Sequence, residues 1–168
     1  MSPRHRPPRL ATIFYDPPLY FVTVCVRRRL RVLATDAVHS AFRDFAVRGL
    51  EKKHIAIGRY VIMPDHLHLF VSGPHEFRLE QWERMLKLVL GRATRMGRAL
   101  RRSAPTRAPR AAAVSKMWER GFFDHVIRNA ESYAQKWEYV RQNPVRAGLV
   151  ERAEDWPFQG EIVEIYRD

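Results

Sequence analysis

The chain has 168 residues and carries 30 Lys+Arg against 18 Asp+Glu, a formal net charge of +12. That length suits one domain with a self-sufficient core, and 46% hydrophobic with 11% aromatic content excludes a disordered chain. A single cysteine, Cys25, excludes a disulfide framework and a cysteine-rich zinc site, no apolar run is long enough to span a membrane, and the first residues have no signal-type apolar stretch. The expected setting is therefore cytoplasmic, with no membrane, and the expected partner of so basic a chain is nucleic acid.

The first periodic segment, Leu19 to Val26 (LYFVTVCV), is aromatic and β-branched on both faces and reads as a central strand. Thr35 is placed to cap a helix running to about Lys53, with Val38, Ala41, Phe42, Phe45 and Leu50 near a 3.6-residue period. Ile55 to Met63 reads as a second strand, Pro64-Asp65 as a turn, and His66 to Val71 as a third strand. A helix is expected from Phe77 to about Leu100, a fourth strand over Phe122 to Ile127, and a last helix from Ala130, capped by Asn129, to Asn143, where Pro144 stops it. The order β-α-β-β-α-β followed by a helix predicts an α+β fold, a ferredoxin-like sandwich with an antiparallel sheet and a C-terminal helix. One domain spans 1–168, with an N-terminal arm over 1–18 and a flexible basic loop over 101–117. Two helices are expected on one sheet face, leaving the other freer for a site.

The charge is concentrated. Arg84 to Lys116 contains no Asp or Glu and holds ten Lys and Arg residues, and a second knot is Arg27, Arg28, Arg29 and Arg31. Arg92, Arg95, Arg98 and Arg102 recur at helical spacing and, with Arg84 and Lys87, make a candidate phosphate-binding ridge. Its bland counterpart is a solvated helix end running into a loop.

The segment Tyr60-Val-Ile-Met-Pro-Asp-His-Leu-His-Leu-Phe-Val carries the chemistry. Strand alternation puts Leu67, Leu69 and Val71 on one face and His66 and His68 on the other. Two imidazoles two residues apart on one face can reach a single metal ion, with a third ligand from elsewhere. In the last helix, at 100° per residue, Trp137 and Val140 fall within about 40° of Tyr133 and form the core stripe, whereas Tyr139 and Asn143 lie near 240° and about 280°. Lys136 shares their side. A metal that polarises a phosphate, a phenol oxygen that attacks it and a lysine that neutralises charge would form one kit. Asp65 is a candidate support for the histidines or simply a turn former, and His125 is a weaker candidate of the same kind.

His66-Leu67-His68 in its setting resembles the His-hydrophobic-His (HUH) motif of the single-tyrosine insertion-sequence transposases. Trp118-Glu-Arg-Gly-Phe-Phe-Asp-His-Val-Ile-Arg-Asn, followed by Tyr139-Val-Arg-Gln-Asn-Pro-Val-Arg-Ala-Gly-Leu-Val, resembles their REP-associated branch, and the likeness covers about Leu19 to Phe158. The resemblance implies a nucleoid-associated endonuclease and strand transferase acting on single-stranded DNA beside hairpins formed by palindromic repeats, through a 5′-phosphotyrosine intermediate. Tyr139 would be the nucleophile, and His66, His68 and Asn143 would bind Mg²⁺ or Mn²⁺. The family contains both monomers and homodimers. Pro17-Pro18 stands where the branch usually has a glycine pair, and the tail after Trp156 is short. Two rivals remain: a non-catalytic or domesticated regulator that binds structured nucleic acid, and a metal hydrolase using water as nucleophile.

Overall fold

The computed structural model describes residues 17–95, 99, 102 and 114–165. Its elements in chain order are β1 (Leu19–Cys25), α1 (Asp36–Lys53), β2 (Ala56–Ile62), β3 (His66–Ser72), α2 (Leu79–Ala93), β4 (Phe123–Ile127), α3 (Ala130–Arg141), α4 (Asn143–Arg146) and β5 (Gln159–Glu161). Short 3₁₀ turns lie at Arg27–Arg29 and Ala153–Asp155. The five strands form one sheet in the order β4-β1-β3-β2-β5, every pairing antiparallel. The first four strands thus follow the expected ferredoxin-like arrangement. The short β5, which has no hydrophobic alternation of its own, adds to the β2 edge.

Local chemistry accounts for most boundaries. The Thr35 hydroxyl accepts from the Val38 amide, 3.3 Å, and starts α1. His54 ends it in the left-handed conformation, with its amide bonded to the carbonyls of Gly49 and Leu50. The Asn129 side chain accepts from the Ser132 amide, 2.8 Å, and starts α3. α2 is shorter than its hydrophobic periodicity predicts. Thr94 leaves the helical region, and its hydroxyl donates to the Gly91 carbonyl, 2.8 Å. A side chain at Gly91 would come within 2.4 Å of Val114, so this glycine lets the segment from Val114 pack against the helix. That segment is the end of the expected 101–117 loop, and it is structured: Val114 and Met117 are buried, and Trp118 bridges to Val26. Residues 101 and 103–113 of that loop and residues 1–16 of the expected arm lie outside the described residues.

Pro144 does not stop the last helix as the sequence predicts. α3 ends at Arg141, and Pro144 sits in the first turn of α4, which Asn143 opens. Proline is tolerated there because the first-turn amides have no intrahelical acceptor.

Two cores form, one on each sheet face. Val22, Val24, Ile57, Tyr60, Leu67, Leu69 and Val71 meet α1 and α2 through Phe42, Trp82, Leu86 and Leu90. Leu19, Phe21, Val61, Phe70 and Ile127 meet α3 through Tyr133 and Val140. The second face is therefore not left free: α3 lies across it. Between Ile57 and Tyr60 the β2–β3 register shifts, and Arg59 within that irregularity reaches α3, its guanidinium 5.6 Å from the Tyr133 ring centre and 5.5 Å from that of Trp137.

Phe70 links the strands to α3, its ring centre 4.5 Å from Tyr133 and 5.1 Å from Phe21. Phe70→Ala is expected to cost about 3–5 kcal/mol of stability, read as a lower urea midpoint.

Candidate active site

β3 presents His66 and His68 on the α3 face, as alternation requires, with their ring centres 4.7 Å apart and nearly perpendicular. Each ring is held by its Nδ1. His66 Nδ1 lies 2.7 Å from Asp65 Oδ1. His68 Nδ1 lies 2.7 Å from the Thr23 hydroxyl, and its ring stacks on Phe21 at 5.5 Å. A carboxylate can only accept, so His66 Nδ1 carries the proton and Nε2 keeps its lone pair for a metal. Burial pushes the His68 pKa down to about 3, helped by neighbouring His66 and by the positive charges of Lys136, Arg29 and Arg146. This imidazole is neutral at physiological pH, as a metal ligand must be.

Asp65 both forms the turn and supports the site. It occupies the two-residue turn between β2 and β3, closed by the Met63 amide on the His66 carbonyl at 2.8 Å. While Oδ1 holds His66, Oδ2 lies 3.5 Å from Arg29 Nη1. Arg29 gets there because Arg28 and Arg29 both adopt left-handed backbone, φ 57° and 54°, and turn the chain sharply after β1. Cys25, half-buried, pairs with His66 across the β1–β3 ladder, and burial raises its thiol pKa.

The helix residues fall as their phases predict. Tyr133 and Val140 are buried, whereas Tyr139 is 65% exposed. Lys136 Nζ sits 5.2 Å from the Phe21 ring centre, so its charge lies above the ring that stacks on His68. Asn143 is at the α3–α4 junction. Arg146, which sequence reasoning did not single out, ties these residues together: its guanidinium lies 4.2 Å from the Tyr139 ring centre, and Nη2 donates to the Tyr139 carbonyl at 2.5 Å and to Asn143 Oδ1. The signal for it was the i, i+3 spacing from Asn143. Arg29 and Thr23 were likewise visible only as part of a charge knot and a strand.

Other candidates fall away from this group. The register pairs His125 with Phe21, one row from His68, and leaves it exposed on the edge strand. α2 packs on the opposite sheet face, so its exposed Arg84 and Arg92 stand behind the histidines; Arg95, past the end of α2, is also exposed. Lys87 is engaged structurally: Nζ meets Glu83 Oε1 at 2.5 Å and donates to the carbonyls of Glu119 at 2.9 Å and Gly121 at 2.6 Å. Arg102 is exposed, and Arg98 lies outside the described residues. Among the described residues no group of three His, Cys, Asp or Glu side chains is placed to hold a metal. The Asn143 side chain offers a neutral amide oxygen, a donor type that hard divalent cations accept. No helix of the described residues is long and apolar enough to cross a membrane.

Two imidazoles on the central strand of a ferredoxin-like sheet thus face a helix that bears an exposed tyrosine. The family model for IS200-like transposases matches residues 18–143, and the chain belongs to that family. A REP-associated tyrosine transposase of Escherichia coli is 25% identical over 142 residues, covering 83% of this chain and 73% of its own length. A Haemophilus influenzae relative with the same family name is 28% identical, with 83% and 77% covered. Among solved structures, a REP-associated tyrosine transposase bound to a REP hairpin superposes with a TM-score of 0.63 at 21% identity, covering 98% of this chain and 95% of that one. It shares the fold.

The low His68 pKa sets a pH dependence. The unfolded chain protonates this imidazole below its ordinary 6.5, whereas the folded chain does so only near 3. Stability from this group is complete above pH 6.5 and is lost as pH falls through that window, by up to about 1 kcal/mol per pH unit. Urea unfolding of wild type and His68→Gln between pH 7 and 4 should show a shallower acid slope in the variant.

Proposed function

We propose that this protein cuts and rejoins single-stranded DNA beside a hairpin, with Tyr139 as nucleophile and Mg²⁺ or Mn²⁺ held by His66, His68 and Asn143. The observation that carries the reading is the pair of Nδ1-anchored imidazoles facing the helix of the exposed tyrosine, with Lys136, Arg146 and Arg29 gathered round them. The family supports the transposase class, and the relative bound to a REP hairpin supports hairpin DNA as the substrate.

The bound ion would polarise the scissile phosphate and withdraw charge from its oxygens. Tyr139, exposed on α3, can reach a strand laid over the site, and its phenol oxygen would attack phosphorus and displace the 3′ oxygen. The product is a 5′-phosphotyrosine and a free 3′ hydroxyl, which can later attack the linkage and reseal DNA. Lys136 and Arg146 supply positive charge where the phosphoryl oxygens gain negative charge. Asp65 keeps the His66 ring in one tautomer and one orientation.

Incubation of a tailed DNA hairpin with protein and Mn²⁺ should yield a covalent adduct on a denaturing gel. Tyr139→Phe should abolish it, and an adduct that persists in that variant would overturn the assignment. Asp65→Ala should weaken Mn²⁺ binding about 10–100-fold by titration calorimetry, with the circular dichroism spectrum unchanged.

A further inference from the structure

The β4 edge of the sheet carries an aromatic feature that neither the cores nor the metal chemistry uses. Phe123 is 77% exposed, more than any other large hydrophobic residue among those described. A lone surface apolar residue is ordinary; its register gives this one a meaning. Phe123 pairs with Thr23, and Thr23 with His68, so the three share one row and one face. In the next row His125, also exposed, pairs with Phe21, the ring beneath Lys136 Nζ. Phe123 and His125, two residues apart on β4, thus share the face of the histidines along the sheet edge, with Phe123 in the row of His68.

The chain is built to hold Phe123 outward. Gly121, at φ +69°, makes a turn that a side chain would strain, and Lys87 Nζ pins the Glu119 and Gly121 carbonyls to α2. Phe122 then packs against the α1–α2 core, and alternation sends Phe123 to the other face. Exposed Arg120 and Arg128 flank the strand at its two ends.

We propose that Phe123 and His125 form a base-stacking strip for the unpaired nucleotides that flank the scissile phosphate. Every base has a π face, so such a strip holds single-stranded nucleic acid without reading its sequence, and the flanking cations match its backbone charge. The inference rests on the proposed strand-transfer reading for the identity of the strand, but its test is a binding measurement that needs no chemistry.

Fluorescence anisotropy of a labelled DNA hairpin bearing an oligothymidine tail, without metal, should show Phe123→Ala weakening binding about tenfold. Phe123→Trp should restore it, and His125→Ala should weaken it several-fold. Binding of the same hairpin without a tail should not change. Replacing successive tail nucleotides by abasic ones should identify one position where the loss matches that of Phe123→Ala and adds nothing in that variant. Unchanged tail affinity in Phe123→Ala, or no rescue by tryptophan, would overturn the strip even if the Tyr139 adduct forms. An adduct that survives Tyr139→Phe would overturn the chemistry and leave the strip standing. Concentration-dependent self-association that Phe123→Ala abolishes would assign the edge to a second copy of the chain instead.

Discussion

The turn at Pro64 and Asp65 ties together the segments on either side of the histidine strand. Their turn joins β2 to β3, and its backbone carbonyls reach well beyond the hairpin. The Asp65 carbonyl accepts from the Val26 amide at 2.9 Å, and the Pro64 carbonyl accepts from Val32 and Leu33 at 2.8 and 2.9 Å. The chain leaving β1 is therefore tied down on both sides of its arginine-rich turn. The Asp65 carboxylate then spends one oxygen on His66 and the other on Arg29. Backbone and side chain of one residue thus fix the strand, the loop beside it and the imidazole that opens the site.

β3 has to serve three purposes with a period of two. Leu67, Leu69 and Val71 fill one core, Phe70 fills the other, and His66 and His68 stand at the end of that second face where α3 does not bury them completely. The placement keeps them half-sheltered, which is enough to hold His68 neutral while leaving ring edges available for a ligand. The cations that approach come from three separate elements: the turn after β1, α3 and α4.

Features with a short-range cause were legible in the sequence. The Thr35 and Asn129 caps, the Pro64-Asp65 turn, the histidine alternation and the phases of Tyr133 and Tyr139 each depend on neighbours within a few residues. What was not legible depends on distant partners. β5 exists because the β2 edge offers unpaired groups, not because Gln159–Glu161 favours a strand. α2 stops early because Thr94 takes the Gly91 carbonyl next to the Val114 segment. The covering of the second face by α3, the path of Arg29 to Asp65 and the grip of Arg146 on Tyr139 and Asn143 follow from the tertiary fold alone. Arg84 and Arg92 of α2 are exposed, but where they stand relative to the histidines depends on which sheet face the helix covers.

The strand order also has a kinetic side. β2 and β3 meet across two residues, whereas Thr23 reaches His68 over 45 positions, and β4 must return to β1 over about twice that separation. Closing the longer loop costs more chain entropy and brings its reward later. The β2–β3 hairpin and its two helices can collapse first on contacts that lie close together in the chain. β4 and the tyrosine helix dock afterwards onto a surface already made. The histidine pair is thus shaped early and Tyr139 arrives late, so a nascent chain still emerging from the ribosome would carry one half of the site before the other half exists.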